Sequence, residues 1–135
     1  MPEETDESEP VYLDLADTLE LCAAIIDCTP AQAAEQLRDR GGLESALGRP
    51  RNYALYQDAD LALQAATLAH GIAESQTFLD ANKRLALVAM LTFLEVNGSR
   101  VNATDPELAS WILDLAADTT PEQLADRLRP RLMPA

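Results

Sequence analysis

DANKRLALVAMLTFLEVNG, Asp80–Gly98, joins a short polar stretch to a long apolar one. Beyond Arg84 so many positions are apolar that a helix built from them can turn little of itself to water, which places it at the centre of its domain. Leu, Ala and Met are strong helix formers, and Asn97-Gly98 supplies a C-terminal stop. At the front stand Asn82, Lys83 and Arg84, with Asp80 two residues before Asn82. Two cations at a helix start run against the macrodipole, which favours them at the other end. The unpaired N–H groups of the first turn point forward as well, and a bound phosphate would resolve the conflict. Asp80 can hold Mg²⁺, which binds through one or two carboxylates together with phosphate oxygens. Asn82 can donate to a phosphate or orient the loop. Phe78 and Leu79 are apolar in a polar segment, so one of them anchors it in the core. The same residues also fit a plainer arrangement, in which Asp80 caps the helix and pairs with solvated Lys83 and Arg84.

Outward from this stretch the chain reads as further helices. "DADLALQAATLAHGIAES" puts Leu61, Ala65, Leu68 and Ile72 on one face, the helical period of apolar residues. Leu15, Leu19, Cys22 and Ile26 make a similar face nearer the N-terminus. "TPAQAAEQLRDR" opens with Thr29 as N-cap and Pro30 at the first helical position, and Gly41-Gly42 is expected to end it. "LESALGRP" reads as one or two turns stopping near Pro50, and "RNYALYQDAD" as irregular. "SRVNAT" reads as a short extended link. "TDPELASWILDLAAD" begins with an acidic cap and Pro106, and "TTPEQLADRLRPRL" repeats the design with Thr120 and Pro121. The fold class is therefore all-α, a helical bundle with a loop leading into a central apolar helix. Residues 1–10, acidic and with little to bury, read as a flexible tail, and residues 11–135 as one domain.

Composition limits the function. The chain has 135 residues, 47% of them apolar and only 4% aromatic, enough for one core without metal or disulfide support. A formal net charge of -13 repels nucleic acid phosphates, so no nucleic-acid partner is expected, and a partner protein that is basic where it touches is favoured. Cys22 and Cys28, with no second pair, lack a zinc pattern and suit small apolar side chains in a reducing compartment. No apolar run approaches the ~20 residues needed to cross a membrane, and no signal peptide is evident, so a cytoplasmic location is expected.

"QTFLDANKR" resembles the signature of the Fic/Doc family, His-x-Phe-x-(Asp/Asn/Glu)-(Ala/Gly)-Asn-(Lys/Gly)-Arg. Phe78, Asp80, Ala81, Asn82, Lys83 and Arg84 fall in register. Lys at the penultimate position is similar to the Doc branch, the death-on-curing toxins of toxin–antitoxin modules. "GGLESALGRP", "LAHGIAES" and "FLEVNGSRV" resemble flanking segments of such proteins, so the likeness runs from about Tyr12 onward.

The resemblance implies an ATP- and Mg²⁺-dependent transferase. Most Fic proteins move AMP onto a protein hydroxyl (AMPylation). Doc-like members act as kinases on a translation elongation factor and arrest growth. An antitoxin helix lying in a groove silences them. On that model Asp80 holds Mg²⁺, Asn82 and Arg84 bind phosphates, and Lys83 replaces the glycine of AMP-transferring relatives. That replacement favours phosphate transfer.

One position departs from the pattern. The family's motif histidine, a general base, is here Gln76. Gln cannot accept a proton, although it can hydrogen-bond a hydroxyl and hold it. Natural divergence, engineering to silence a toxic chain, and another base such as Asp80 each account for Gln76. Two functional readings remain, an impaired transferase and an inactive module that binds a nucleotide or protein. His70 lies six residues before the slot, ~9 Å along a helix, and is expected as a core or supporting histidine. Trp111 is expected in the core, Tyr53 and Tyr56 in ordinary packing, and Arg49 and Arg51 at the solvated surface. An inhibitory Ser/Thr-x-x-x-Glu-(Gly/Asn) motif is not evident, since Glu20, Glu35 and Glu44 lack its context.

Overall fold

The structure, a computed structural model, describes residues 9–75 and 82–135. Seven α-helices are present among them: α1 (Leu15–Ile26), α2 (Pro30–Glu35), α3 (Arg40–Gln57), α4 (Leu61–Glu74), α5 (Asn82–Val96), α6 (Asp105–Ala117) and α7 (Pro121–Leu128). A 3₁₀ turn follows at Arg129–Arg131, and two short strands, β1 (Ser99–Val101) and β2 (Leu132–Pro134), pair antiparallel with Val101 opposite Leu132. The expected all-α architecture holds. The "SRVNAT" link is in part strand β1, because the end of the chain returns to pair with it.

Helices α4 and α5 form the centre. Ala65, Ala66, Leu68, Ala69 and Ile72 of α4 and Leu85, Ala86, Ala89, Met90, Phe93 and Leu94 of α5 are buried, none more than 1% exposed. The α4 helix packs on α3, α5, α6 and α7, while α5 also touches α1, α6 and β1. The small Ala side chains on α4 let several neighbours approach it at once. The apolar helix 82–96 is central, as its sequence predicts.

Helix starts follow the sequence at Thr29 and Thr120, but the acidic cap expected for α6 is instead Thr104, whose hydroxyl accepts the Glu107 N–H, and Asp105 is the first helical residue. Thr29, Thr104 and Thr120 each cap a helix in a reciprocal capping box, with Gln32, Glu107 and Gln123 reaching back. Each such cap contributes about 1 kcal/mol.

The region from Arg38 to Gln57 differs from the sequence expectation. Helix α2 already ends at Glu35, and Gly41-Gly42 lie in the first turn of α3. Gly42 belongs there because the Asp39 cap accepts its N–H at 2.9 Å, and a Cβ on Gly42 would lie 2.2 Å from the Asp39 carboxylate. Pro50 does not stop the helix either; α3 runs through it, taking in "RNYALYQ". Proline inside a helix costs about 3 kcal/mol. Burial of Leu43, Ala46 and Pro50 on α4 offsets this. Tyr53 is accordingly half-buried and helical, whereas Tyr56 is 83% exposed.

Residues 1–8 of the expected tail lie outside the described residues. At its end the chain is pinned. Asn97, expected only as a helix stop, accepts from the Val11 N–H at 2.7 Å and donates to the Val11 and Phe93 carbonyls at 2.9 and 2.8 Å. Tyr12 then stacks on Phe93 with ring centroids 5.9 Å apart, and its hydroxyl donates to Gln64 Oε1 at 2.8 Å. Cys22 is a buried free thiol, pushed up to about 11 by burial and then by Cys28.

Arg131 ties the β-ribbon to the bundle. It donates to Glu107 Oε2 at 2.9 Å and to the Asn102 carbonyl at 3.0 Å. Its guanidinium lies 5.5 Å from the ring centre of Trp111. Trp111 is thus half-buried against the core edge beneath a cation, rather than fully in the core. The Arg131 hydrogen bonds, with the Thr104 N–H next, lower the Glu107 carboxyl from 4.5 to about 2. A depressed folded-state value gives stability that is present above the unfolded value and lost as pH falls through the folded one. Urea unfolding should therefore show the protein losing more stability between about pH 5 and about pH 2 than its Glu107→Gln variant, which keeps the cap but not the charge.

Candidate functional site

The site lies where α4 ends and α5 begins. The Ser75 N–H, at the C-cap of α4, donates to the Gly71 and Ile72 carbonyls at 3.1 Å each, and its hydroxyl donates to the Ile72 carbonyl at 2.8 Å. Asn82, the first residue of α5, donates its side-chain amide to the Ser75 carbonyl. One side chain at the start of the central helix thereby latches the end of its neighbour. Gln76, Phe78 and Asp80, the expected histidine slot, loop anchor and Mg²⁺ ligand, lie outside the described residues.

Lys83 and Arg84 follow Asn82 in the first turn of α5. Both are exposed, and among the described residues neither makes an ion pair. The first turn of α5 also contains no acid. Unpaired N–H groups, the positive end of the dipole and two cations therefore share the first turn of α5. This arrangement is poor for a helix in water and good for a phosphate. The chemistry of the donor set thus fits the polyphosphate of a nucleotide. Among the described residues no group of three or more His, Cys, Asp or Glu side chains is placed to hold a metal.

Beside the cations an apolar cleft of about 240 Å³ runs between α5 and α6. Leu87 of α5 and Ala109, Ile112 and Leu113 of α6 line it, with Lys83 and Arg84 at its end. Leu113 is 57% exposed there.

The leader helix holds a second polar group. Arg49 on α3 reaches His70 Nδ1 at 3.2 Å and Glu74 Oε1 at 3.3 Å, and His70 Nε2 lies 3.5 Å from Glu74 Oε2. His70 is half-buried on α4 and engaged with Arg49 and Glu74. Arg49 differs from the expectation of a solvated side chain, because its partners lie on another helix. The i, i+4 spacing of His70 and Glu74 could be read from the sequence, but the arrival of Arg49 could not. Arg51 does lie at the surface, 3.9 Å from Glu9.

A family model described as the Fic/DOC family matches residues 12–94. The chain belongs to the Fic/DOC family. It is also similar to the "Protein kinase doc" of Escherichia phage P1, with 36% identity over 95 residues, 69% of this chain and 75% of that protein. This places it in the Doc-like branch. The family match covers α1 to α4 and most of α5, including the Ser75–Asn82 latch and both cations.

Cations at a helix N-terminus are destabilising by about 0.3–1 kcal/mol each, whereas loss of one hydrogen bond costs about 0.5–1.5 kcal/mol. In thermal unfolding without ligand, Lys83→Ala and Arg84→Ala should leave the midpoint unchanged or raised. Asn82→Ala should lower it.

Proposed function

We propose that this Fic/DOC protein is a Doc-type toxin of a toxin–antitoxin module whose scaffold transfers the γ-phosphate of Mg-ATP to a hydroxyl of a translation factor. Gln76 impairs the reaction. The observation that carries this reading is the pair of exposed cations, Lys83 and Arg84, at the first turn of α5, which make no ion pair among the described residues. Similarity to a protein named a kinase supports it.

Each residue has a defined task. The α5 N–H groups, Lys83 and Arg84 hold the phosphates and offset the charge that spreads over the transferred group. Asn82 keeps the helix start fixed against Ser75 and contributes to the phosphate site. Lys83 fills the space that a glycine would leave, which favours γ-phosphate over AMP transfer. Mg²⁺ bound through Asp80 would supply further charge neutralisation. Gln76 can hold the acceptor hydroxyl by a hydrogen bond but cannot take its proton, and loss of a general base costs ~10²–10⁴ in rate.

Silencing by an antitoxin helix follows from the same reading. The α5–α6 cleft offers an apolar groove beside the phosphate site, and the net charge of -13 favours fast encounter with a basic segment, an effect that salt weakens. The second reading, a module that binds nucleotide or protein without transfer, rests on Gln76 alone.

The test compares the chain as it stands with Gln76→His, each incubated with γ- or α-labelled ATP, Mg²⁺ and a bacterial lysate. The expected result is γ-label on a protein acceptor with Gln76→His, at least ~10²-fold more than with Gln76. α-Label would instead mean AMP transfer, and no label with either chain would favour the binding module.

A further inference from the structure

Three side chains from two helices meet just before the latch. Gly71 permits their meeting: a Cβ there would lie 2.8 Å from Ala46 Cβ and 3.2 Å from Arg49 Cδ. The missing side chain lets α3 press on α4 at the turn that carries Arg49, which places the guanidinium over His70 and Glu74. A guanidinium has only donors, so His70 Nδ1 must be the acceptor of the 3.2 Å contact, and the ring proton sits on Nε2. That nitrogen lies 3.5 Å from Glu74 Oε2. Arg49 Nη2 donates to the other oxygen of the same carboxylate at 3.3 Å. Glu74 is the last residue of α4, and the next residue, Ser75, gives its carbonyl to Asn82.

We propose that Arg49, His70 and Glu74 form a positioning cluster that fixes the end of α4 and so holds Ser75, Asn82 and the adjoining cations in register for phosphate transfer. None of the three acts on the phosphate itself. Arg49 acts through Glu74 and His70, and Glu74 acts through Ser75. An isolated half-exposed ion pair contributes little to global stability. The consequence of this cluster is local order at a helix end, where fraying otherwise begins.

The inference rests on the transferase reading, so the test has one readout that depends on that reading and one that does not. Amide exchange at Glu74 and Ser75 is followed by NMR in the full chain and in Arg49→Met, Glu74→Gln and His70→Asn. Arg40→Met, which removes only an exposed pair with Glu44, serves as control. Exchange at both amides should accelerate about tenfold or more in Arg49→Met and Glu74→Gln, while Leu68 in mid-helix stays unchanged. His70→Asn keeps an acceptor facing Arg49 and should retain most of the protection.

In the Gln76→His background, Arg49→Met should lower kcat about tenfold, with KM for ATP within about threefold, because misplacement affects transfer more than binding. Unchanged exchange at Glu74 and Ser75 would overturn the proposal. Faster exchange with unchanged kcat would reduce the cluster to a purely structural one. If Gln76→His transfers no phosphate, the functional reading fails, and the exchange data still decide whether the cluster orders the helix end. Should Arg49→Met not fold, Arg49→Lys, which keeps the charge and loses the fork, is read the same way.

Discussion

The hydrogen bond from the Asn82 side chain to the Ser75 carbonyl joins the two helices at the centre of the bundle. Helix α4 carries a near-continuous buried surface, and α5 is buried along most of its length. Two such helices cannot shift against one another without opening the core. Their facing ends therefore form a rigid frame, and the latch fixes where the chain leaves one and enters the other. The phosphate-binding character of the α5 N-terminus depends on that frame, since forward-facing N–H groups and two cations help only if they stay aimed at one point.

Stability and function pull in opposite directions at this point. Lys83 and Arg84 are placed against the helix dipole, with no acid in the first turn. Asp17, Asp105 and Glu107 in first turns and Arg127 in a last turn sit with the dipole, while Arg40 opens α3 and Glu35 and Glu74 close α2 and α4 against it. Arg127, Arg129 and Arg131 are each engaged with carboxylates. A chain with a net charge of -13 has acids in abundance, yet leaves these two cations outside any ion pair among the described residues. Two adjacent cations at the positive end of a central helix, with no acid in its first turn, are what an anion site requires.

Much of this was legible in the sequence. Helix starts at Thr29, Asn82 and Thr120 were readable because their signals are local: a cap, a proline, a change of period. The central place of α5 was readable because its apolar residues leave no wet face. Gly41-Gly42 were misread as a stop because the Asp39 cap starts α3 in front of them. Pro50 was misread because packing of α3 on α4, which only the tertiary fold brings about, overrides a local signal of termination. Gly71 is the counterpart: it marks the contact between these helices, but a glycine in a helix does not say which neighbour will approach. The Arg49–His70–Glu74 group was missed because two residues of it lie on one helix and the third on another. The ribbon of β1 and β2 joins segments about thirty residues apart, and neither strand has a period long enough to read. At the site, the motif named Asn82, Lys83 and Arg84, and the fold places all three on one helix start. Gln76, Phe78 and Asp80 stand on the sequence alone.

The central claim is that the start of α5 is an anion site built from Lys83 and Arg84. The direct measurement is the thermal unfolding midpoint with increasing Mg-ATP, for the protein and for Lys83→Ala/Arg84→Ala. A ligand that binds only the native state at about 100 times its Kd adds about 2.7 kcal/mol. The account predicts a rising midpoint for the protein and none for the double variant, whose ligand-free midpoint is at least as high. Equal rises in both would contradict it, because the phosphates would then be held elsewhere.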